Sequence, residues 1–264
     1  MQKINFPKAG IYKYRFKPLY NPVDFVKQEG VLKSMGFTKA IFIYSDKLAR
    51  AFAAQYGASR RNRVSKKARI KDVILYSSRA LKNTIIARLA IGAPFTAVTE
   101  DELWAMGIKE FLILGSAGGI YKDLEIGDIV ICTKALRDEG VSHHYIKDSK
   151  YVEPDTRLVH SLEKELNRNR LKFVKGPTWT IDAPYMESVE EVERYSKEGI
   201  FTVEMEAAAL FAVAKRRGIR AAAVFGISDT LTNGAWSGFS KNYHRKKNSF
   251  ANLVRIGKIF SELK

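Results

Sequence analysis

The segment FTVEMEAAALFAVAKRRGIRAAAVFGISDT, residues 201–230, decides the fold class. It places a helical pattern, EAAALFAVAKRRG (206–218), before an apolar run, AAAVFGI (221–227), that is typical of a buried strand. The helix is expected to end at Lys215-Arg216-Arg217-Gly218, because cations favour the last turn of a helix and glycine favours its C-terminal cap. A helix that leads directly into a buried strand is typical of α/β proteins.

The same alternation recurs along the chain. Further helices are predicted at TAVTEDELWAMG (96–107) and TRLVHSLEKELNR (156–168), and a last helix from about Asn248. The other predicted strands are AIFIY (40–44), DVILYS (72–77), TIIARLAI (84–91), EFLILG (110–115), DIVICTKAL (128–136) and LKFVKG (171–176). This order indicates a central mixed, largely parallel sheet flanked by helices. We expect one α/β domain over residues 1–264, with residues 1–39 as an N-terminal extension.

The composition is ordinary for a soluble globular protein, with 46% hydrophobic and 28% charged residues. No apolar run approaches the roughly 20 residues that a membrane helix needs, and MQKINFPKAG at the start has no apolar signal core. The single cysteine, Cys132, excludes an internal disulfide and fits a reducing compartment. We therefore expect a cytoplasmic protein with no membrane partner.

The charge balance is less ordinary, since 45 Lys and Arg against 28 Asp and Glu give a formal net charge of +17. The densest basic stretch is SRRNRVSKKARIKD, residues 59–72. Such an excess suggests a polyanionic partner. The stretch has no interleaved aromatic pattern, no zinc-ligand spacing and no glycine-rich tail. We expect a solvated loop or a subunit contact there, and nucleic acid is not an expected partner.

Three predicted strand ends carry residues that could bind a ligand or take part in catalysis. Ligands of open α/β sheets bind at the carboxyl ends of strands. Residues 115–119, GSAGG, are predicted to form a turn whose N–H groups can approach an anion. Glu204 and Glu206 flank Met205 in an otherwise apolar segment, and Ser228-Asp229-Thr230 offers a carboxylate and two hydroxyls. Buried carboxylates need partners, and ribose hydroxyls donate well to them.

These motifs resemble the nucleoside phosphorylase and nucleosidase superfamily from about residue 40 to the C-terminus. The matching segments, in order, are GSAGGI, EIGDIVI, RDEGVSHHY, TWTIDAPY, VEMEAAAL and GISDT. RDEGVSHHY and TWTIDAPY look most like the uridine-phosphorylase-like branch, while GSAGGI looks more like the nucleosidases. The resemblance implies a nucleoside phosphorylase-type fold and cleavage of the N-glycosidic bond of a ribonucleoside. It implies no metal and no organic cofactor, with inorganic phosphate as co-substrate.

The resemblance also implies catalytic and sugar-binding roles for the matching residues. Glu206 would accept hydrogen bonds from the ribose hydroxyls, Met205 would pack against the sugar, and Glu204 would lie beside them. Asp229 would act as the general acid that protonates a purine base as it departs. Ser228 would support the hydrogen bonds of that acid.

The remaining implied residues belong to the base pocket and the phosphate site. Tyr185 would line the base and sugar pocket, and Trp179 would stack nearby. Phosphate, or water in a nucleosidase, would lie against Gly115 and Ser116. Lys47 and Arg69 would add positive charge to this site. A neighbouring subunit would lend Arg69, which makes a homo-oligomer, a hexamer or a dimer, the expected assembly.

The chain departs from the phosphorylase pattern at several positions of the phosphate site, among them Tyr44-Ser45-Asp46-Lys47, where the family has glycine-aspartate-proline followed shortly by arginine. Phosphorylases carry an arginine two residues before the glycine of the GS motif, where it clamps phosphate with two hydrogen bonds. Here that residue is Ile113, and Arg88 is a candidate for compensating charge. The positions that read uracil in uridine phosphorylases fall near Ser188 and Glu190, and neither residue matches.

Three interpretations therefore remain open. The first is a nucleoside phosphorylase that cleaves a uridine or purine nucleoside with phosphate. The second is a nucleosidase that uses water at the same ribose site, which GSAGGI and Ile113 favour. The third is a non-catalytic binder of nucleosides or of nucleic acid. The base also remains open, since the resembling branch suggests uridine whereas Asp229 suits a purine.

Overall fold

The structure, a computed structural model, describes residues 13–28, 36–60, 73–232, 235–238 and 243–264. Its α-helices are α1 (Pro22–Gln28), α2 (Asp46–Tyr56), α3 (Ala93–Ala105), α4 (Ser142–Tyr145), α5 (Thr156–Arg168), α6 (Val189–Lys197), α7 (Ala207–Arg217) and α8 (Tyr243–Glu262). Its strands are β1 (Lys39–Ile43), β2 (Ser59–Arg60), β3 (Ile74–Ser77), β4 (Thr84–Arg88), β5 (Glu110–Gly119), β6 (Ile129–Asp138), β7 (Tyr151–Val152), β8 (Val174–Ile181), β9 (Thr202–Glu204), β10 (Arg220–Thr232) and β11 (Ala235–Ser237).

The described strands form one sheet in the order β11-β10-β6-β8-β9-β5-β1-β4-β3-β2, with β7 beside β6. Because β10 also pairs with β5, strands β5, β10, β6, β8 and β9 close into a ring. The long β10–β5 and β6–β8 pairings are parallel, as are β1–β4, β1–β5 and β8–β9. The other pairings are antiparallel. The predicted α/β class with a mixed, largely parallel sheet is confirmed.

Helices cover both faces of the sheet. Helices α3 and α7 pack together on one face, where Leu103, Leu210 and Phe211 join the buried cluster. Helices α2, α5 and α8 cover the other face through residues such as Phe52 and Phe260. None of the helices in the described ranges is both long and apolar enough to cross a membrane.

The predicted helices correspond to α3, α5, α7 and α8. Residues that cap a helix are a local feature, so they can be recognised in the sequence. Helix α5 has the predicted bounds, and α7 ends at Gly218, which adopts the left-handed conformation with φ 65°. Helices α1, α2, α4 and α6 are additional to the prediction, although α2 and α6 begin at a serine cap. Ser188 and Glu191 form a capping box at α6, a signal that was present in the sequence.

The prediction of a turn at residues 115–119 is wrong, because these residues continue strand β5. Their small size serves close strand packing. A Cβ on Gly118 would lie 2.6 Å from Leu231 Cδ1 and 3.1 Å from Val203 Cγ1. The glycines therefore let β5 run between β10 and β9 without a clash.

A bulge in β10 positions the acid of the GISDT motif. The register with β5 shifts between Ile227 and Asp229, so that Asp229 lies opposite Gly118. Gly118 is in turn opposite Val203 on β9, next to Glu204. Since neighbouring strands are about 4.8 Å apart, the backbones at Asp229 and Val203 are about 10 Å apart. The sheet thus brings both acidic motifs to one site.

Candidate active site

Glu204, at the end of β9, is fully engaged by groups of the protein. Its Oε2 accepts hydrogen bonds from the backbone N–H groups of Glu206 (2.8 Å) and Ala207 (2.7 Å) at the start of α7. Its Oε1 accepts from the Thr180 hydroxyl at 2.5 Å. A carboxylate at a helix N-terminus is favoured by the unpaired N–H groups and by the helix dipole. Both oxygens of Glu204 are thus occupied by groups of the protein, and its place beside the sugar stays a prediction.

Glu206 lies at the N-cap of α7 and joins two helices. Its Oε1 accepts from the Gly92 N–H at 2.7 Å, which ties it to the start of α3. Gly92 adopts φ 109°, a conformation that favours glycine. A carboxylate can accept about four hydrogen bonds, so Glu206 retains acceptor capacity for a ligand. The role of Glu206 toward ribose hydroxyls stays a prediction.

The two glutamates form a buried, interacting pair. Burial raises the pKa of Glu206, and the charge of Glu204 raises it further, whereas backbone N–H groups of Gly92 and Met205 lower it. Burial also raises the pKa of Glu204. The hydrogen bonds that Glu204 accepts from Thr180 and from the start of α7 lower this pKa, but burial has the larger effect. A ligand that donates hydroxyl hydrogen bonds to this pair would favour its ionised form.

Asp229 is held by two neighbours. Its Oδ1 accepts from the Ser228 hydroxyl at 2.5 Å, and its Oδ2 accepts from the indole N–H of Trp236 at 2.9 Å. Ser228 thus makes the hydrogen bond to Asp229 that the resemblance implied. Trp236, on β11, is 60% exposed and was not predicted. Its signal in the sequence is weak, because a tryptophan after a loop is not distinctive.

Glu187 is a second acid that the sequence interpretation missed. It follows the short 3-10 turn Pro184–Met186 and precedes the cap of α6. The side chain is half-buried. Burial, with the nearby charges of Asp229 and Glu191, raises the pKa of Glu187 to about 7. The residue lies next to the positions at which uridine phosphorylases read uracil, which is the signal that could have identified it.

Two aromatic residues of the predicted base pocket have different environments. Trp179 is fully buried, donates from its indole N–H to Asp138 at 2.9 Å and packs edge-on against Tyr195. Trp179 was expected to stack near the base pocket, but in the structure its ring packs in the core against Tyr195. Tyr185 is fully exposed on the turn before Glu187. Met205 is half-buried between the two glutamates.

The predicted phosphate site is only partly assembled by the described residues. Ser116 is exposed and Gly115 half-buried on β5. The ammonium of Lys47 lies 5.0 Å from the centre of the Phe250 ring, and Arg69 lies outside the described residues. In the ranges that the structure covers, no three His, Cys, Asp or Glu side chains are grouped so as to hold a metal.

Arg88, the candidate for compensating charge, is already engaged. Its Nε and Nη2 lie 2.9 Å and 3.1 Å from the two carboxylate oxygens of Asp46, so one edge of the guanidinium forms a two-point ion pair. Ile113 is fully buried in the core on β5. The residue at the position of the family's phosphate arginine is therefore a buried apolar side chain, and Arg88 is already paired.

The arrangement matches a known protein family. The model of the phosphorylase superfamily matches residues 48–256. The chain belongs to this superfamily. Among its relatives is a guanosine phosphorylase from Halorubrum lacusprofundi, 32% identical over 174 residues that make up 66% of this chain and 72% of that protein. A uridine phosphorylase from Thermococcus kodakarensis is 28% identical over 162 residues, 56% of this chain and 58% of that protein.

Solved structures of phosphorylases share the fold. Purine nucleoside phosphorylase from Toxoplasma gondii, in complex with immucillin-H, superposes with a TM-score of 0.74 at 16% identity, covering 87% of this chain and 92% of that one. Uridine phosphorylase from Vibrio fischeri gives a TM-score of 0.71 at 19% identity, covering 89% and 97%. At these identities the likeness shows the fold alone.

Proposed function

We propose that this member of the phosphorylase superfamily cleaves a purine ribonucleoside, with guanosine as the leading candidate, by phosphorolysis. The observation that carries the proposal is the placement of Asp229 across the sheet from the Glu204–Glu206 pair, about two inter-strand spacings away. One acid is thereby available to the base and another to the ribose. The relative named guanosine phosphorylase supports a purine substrate.

The residues suggest how the glycosidic bond would break. Glu206 would orient the ribose through its hydroxyls while positive charge develops on the sugar ring. The bond between the anomeric carbon and the base nitrogen breaks, and its electron pair moves to the base, which Asp229 protonates. A phosphate oxygen then bonds to the anomeric carbon, which gives free base and ribose 1-phosphate. Ser228 and Trp236 would hold Asp229 in place during this step.

We assign the recognition of the base edge to Glu187. Guanine carries two adjacent N–H donors, at N1 and at the 2-amino group, and a carboxylate accepts from such a pair with two parallel hydrogen bonds. Glu187 is half-buried and close enough to Asp229 for the charge of that acid to raise its pKa. Uracil and adenine lack this pair of donors, so the assignment favours guanosine.

A nucleosidase is the second candidate, and Ile113 favours it. Without the arginine clamp, phosphate would lose hydrogen bonds to a charged group that are worth about 1.5–3 kcal/mol each. Phosphorolysis would then depend on the Ser116 hydroxyl, on backbone N–H groups and on Arg69 from a neighbouring subunit.

We therefore also propose a homo-oligomer whose basic segment, residues 59–72, completes the site. A cytoplasmic location would suit the single cysteine.

The test is base release from guanosine, inosine, adenosine and uridine, each with and without inorganic phosphate, with products separated by chromatography. The proposal expects guanine and ribose 1-phosphate, formed only when phosphate is present. Free ribose in the absence of phosphate would instead establish a nucleosidase. The Asp229→Asn variant serves as the negative control, because it should lose at least about 100-fold in rate with purine nucleosides. Release of base at an equal rate by this variant would contradict the mechanism.

A further inference from the structure

A second cavity lies apart from the candidate active site. It encloses about 480 Å³ between residues 13–25 and helices α3, α4 and α7. Arg216 and Arg217 line it at the end of α7, ten or more residues after Glu206. At 1.5 Å per residue, this is about 15 Å along the helix from the proposed ribose site. The volume lies within the range of small-molecule sites, roughly 300–1,000 Å³.

The inner wall of the cavity is a fixed polar group. Asp101 accepts a hydrogen bond from the Tyr145 hydroxyl at 2.7 Å and one from Arg217 Nε, also at 2.7 Å. The Arg217 guanidinium also lies over the ring of Trp104, 4.5 Å from its centre. These contacts satisfy Asp101 and hold Arg217, so this wall keeps its shape without a ligand.

The RDEGVSHHY motif, which the proposed reaction does not use, builds a second wall. Arg137 is fully buried and donates to the Ser142 hydroxyl and the Lys147 carbonyl, both at 2.8 Å. Glu139 accepts from the backbone N–H groups of Val141 and Ser142. The buried ions of the motif thus fix the short helix α4, and the last two residues of the motif, His144 and Tyr145, line the cavity.

The outer part of the cavity combines aromatic rings with unpaired cations. Phe16 and Tyr20 line it and are 63% and 52% exposed. Lys13, Lys17 and Arg216 line it as well, and none of these three cations has an ion-pair partner within the described ranges. Burial lowers the pKa of His144, and the charge of Lys13 lowers it further. The effect of Lys13 indicates a positive potential inside the cavity.

We propose that this cavity binds a nucleoside monophosphate, with its phosphate against Lys13, Lys17 and Arg216 and its base against the rings of Phe16 and Tyr20. Cations without partners favour a dianionic group, and aromatic faces favour a planar ring. The volume suits one such molecule but not a folded polymer. The site does not depend on the proposed reaction, since it shares no residue with it.

The first experiment is calorimetric titration of the full-length protein with guanosine monophosphate in phosphate-free buffer. Binding of one nucleotide per chain is expected, and it should weaken at least tenfold in the Lys17→Glu/Arg216→Glu variant. The matched control is Lys109→Glu/Lys215→Glu, which has the same charge change at exposed positions outside the cavity. Equal affinity in the cavity variant and the control would overturn the proposal.

Three further arms separate this site from other sources of binding. Saturating guanosine should leave nucleotide binding unchanged, and competition would instead place the nucleotide in the active site. At the cavity, measured as the binding that Lys17→Glu/Arg216→Glu removes, inorganic phosphate alone should bind at least tenfold more weakly than the nucleotide, and equal binding there would show an adventitious ion only. Proton NMR of His144 should show its pKa rising when the nucleotide is bound, because an added anion offsets Lys13. An unchanged His144 titration would count against the site.

Discussion

At the scale of single residues, the two acids of TVEMEAAAL have different partners. Glu204 uses both oxygens on the start of α7 and on Thr180. Glu206 instead accepts a hydrogen bond from the Gly92 N–H at the start of α3. Glu206 therefore keeps acceptor capacity for the proposed sugar diol, while groups of the protein occupy both oxygens of Glu204. The two acids of one motif thus differ in how far the protein itself satisfies them.

Removing the charge of Glu206 should weaken the reaction. For Glu206→Gln we expect kcat/KM with guanosine to fall by about 10- to 100-fold, the worth of one charge-assisted hydrogen bond of roughly 1.5–3 kcal/mol. Glutamine still accepts from the Gly92 N–H, so the fold should persist by circular dichroism. Glu193→Gln, an exposed acid on α6, is the control. A value of kcat/KM equal to that of wild type would remove Glu206 from the ribose site.

Base selectivity should depend on Glu187. Glu187→Gln should lower kcat/KM with guanosine by about tenfold, because only guanine presents the N–H pair. The value of kcat/KM with adenosine should stay within about twofold of wild type. Glu190→Gln, an exposed acid three residues on, is the matched control. In wild type, the preference for guanosine should rise as the pH increases through about 7, where Glu187 ionises. Equal losses with both nucleosides would show that Glu187 does not read the base.

At the scale of elements, the site depends on how strands and helices begin and end. The β10 bulge aims Asp229, and the start of α3 supplies the N–H that holds Glu206. The cap of α6 and the helical periods were readable from the sequence. The continuation of β5 through GSAGG could not be predicted from the sequence, because the local glycine content favours a turn. Pairing with β9 and β10 makes these residues a strand.

The conformation of Gly92 should be essential to this junction. Its φ of 109° lies where an alanine is strained, at a cost of order 1–3 kcal/mol. We expect Gly92→Ala to lower the free energy of unfolding in urea by that amount and to raise the KM for the nucleoside. Gly140→Ala is the control, because an added Cβ there meets Asp182 at an ordinary 3.7 Å. Two variants of equal stability would contradict the importance of the Gly92 backbone.

At the scale of the whole molecule, buried acids make stability depend on pH. Glu100 on α3 is fully buried, and neither of its carboxylate oxygens has a hydrogen-bond partner within the described ranges. Burial, with the charge of Asp101, raises its pKa well above the ordinary value of 4.5. The folded state therefore holds this proton more tightly than the unfolded state. Its stabilising effect is complete below pH 4.5 and is lost as the pH rises toward the folded pKa.

Replacing Glu100 should reveal this dependence. The melting temperature of Glu100→Gln, relative to wild type, should rise between about pH 5 and about pH 8, because the variant has no proton to lose. The exposed Glu193→Gln should show no such trend. Thermal unfolding at several pH values, followed by circular dichroism, provides the measurement. A constant difference between Glu100→Gln and wild type would show that Glu100 has the same pKa in both states.

The sequence by itself determined the α/β class, the four helices α3, α5, α7 and α8, and the choice of Glu204, Glu206 and Asp229 as candidate site acids. Periodicity, caps and buried polar residues are local properties, so they can be read along one chain. Only the tertiary structure decided which of the two glutamates is free for a ligand, that Trp179 belongs to the core, and that Trp236 and Glu187 join Asp229. These outcomes depend on strand register and on the packing of distant segments, which no local pattern encodes.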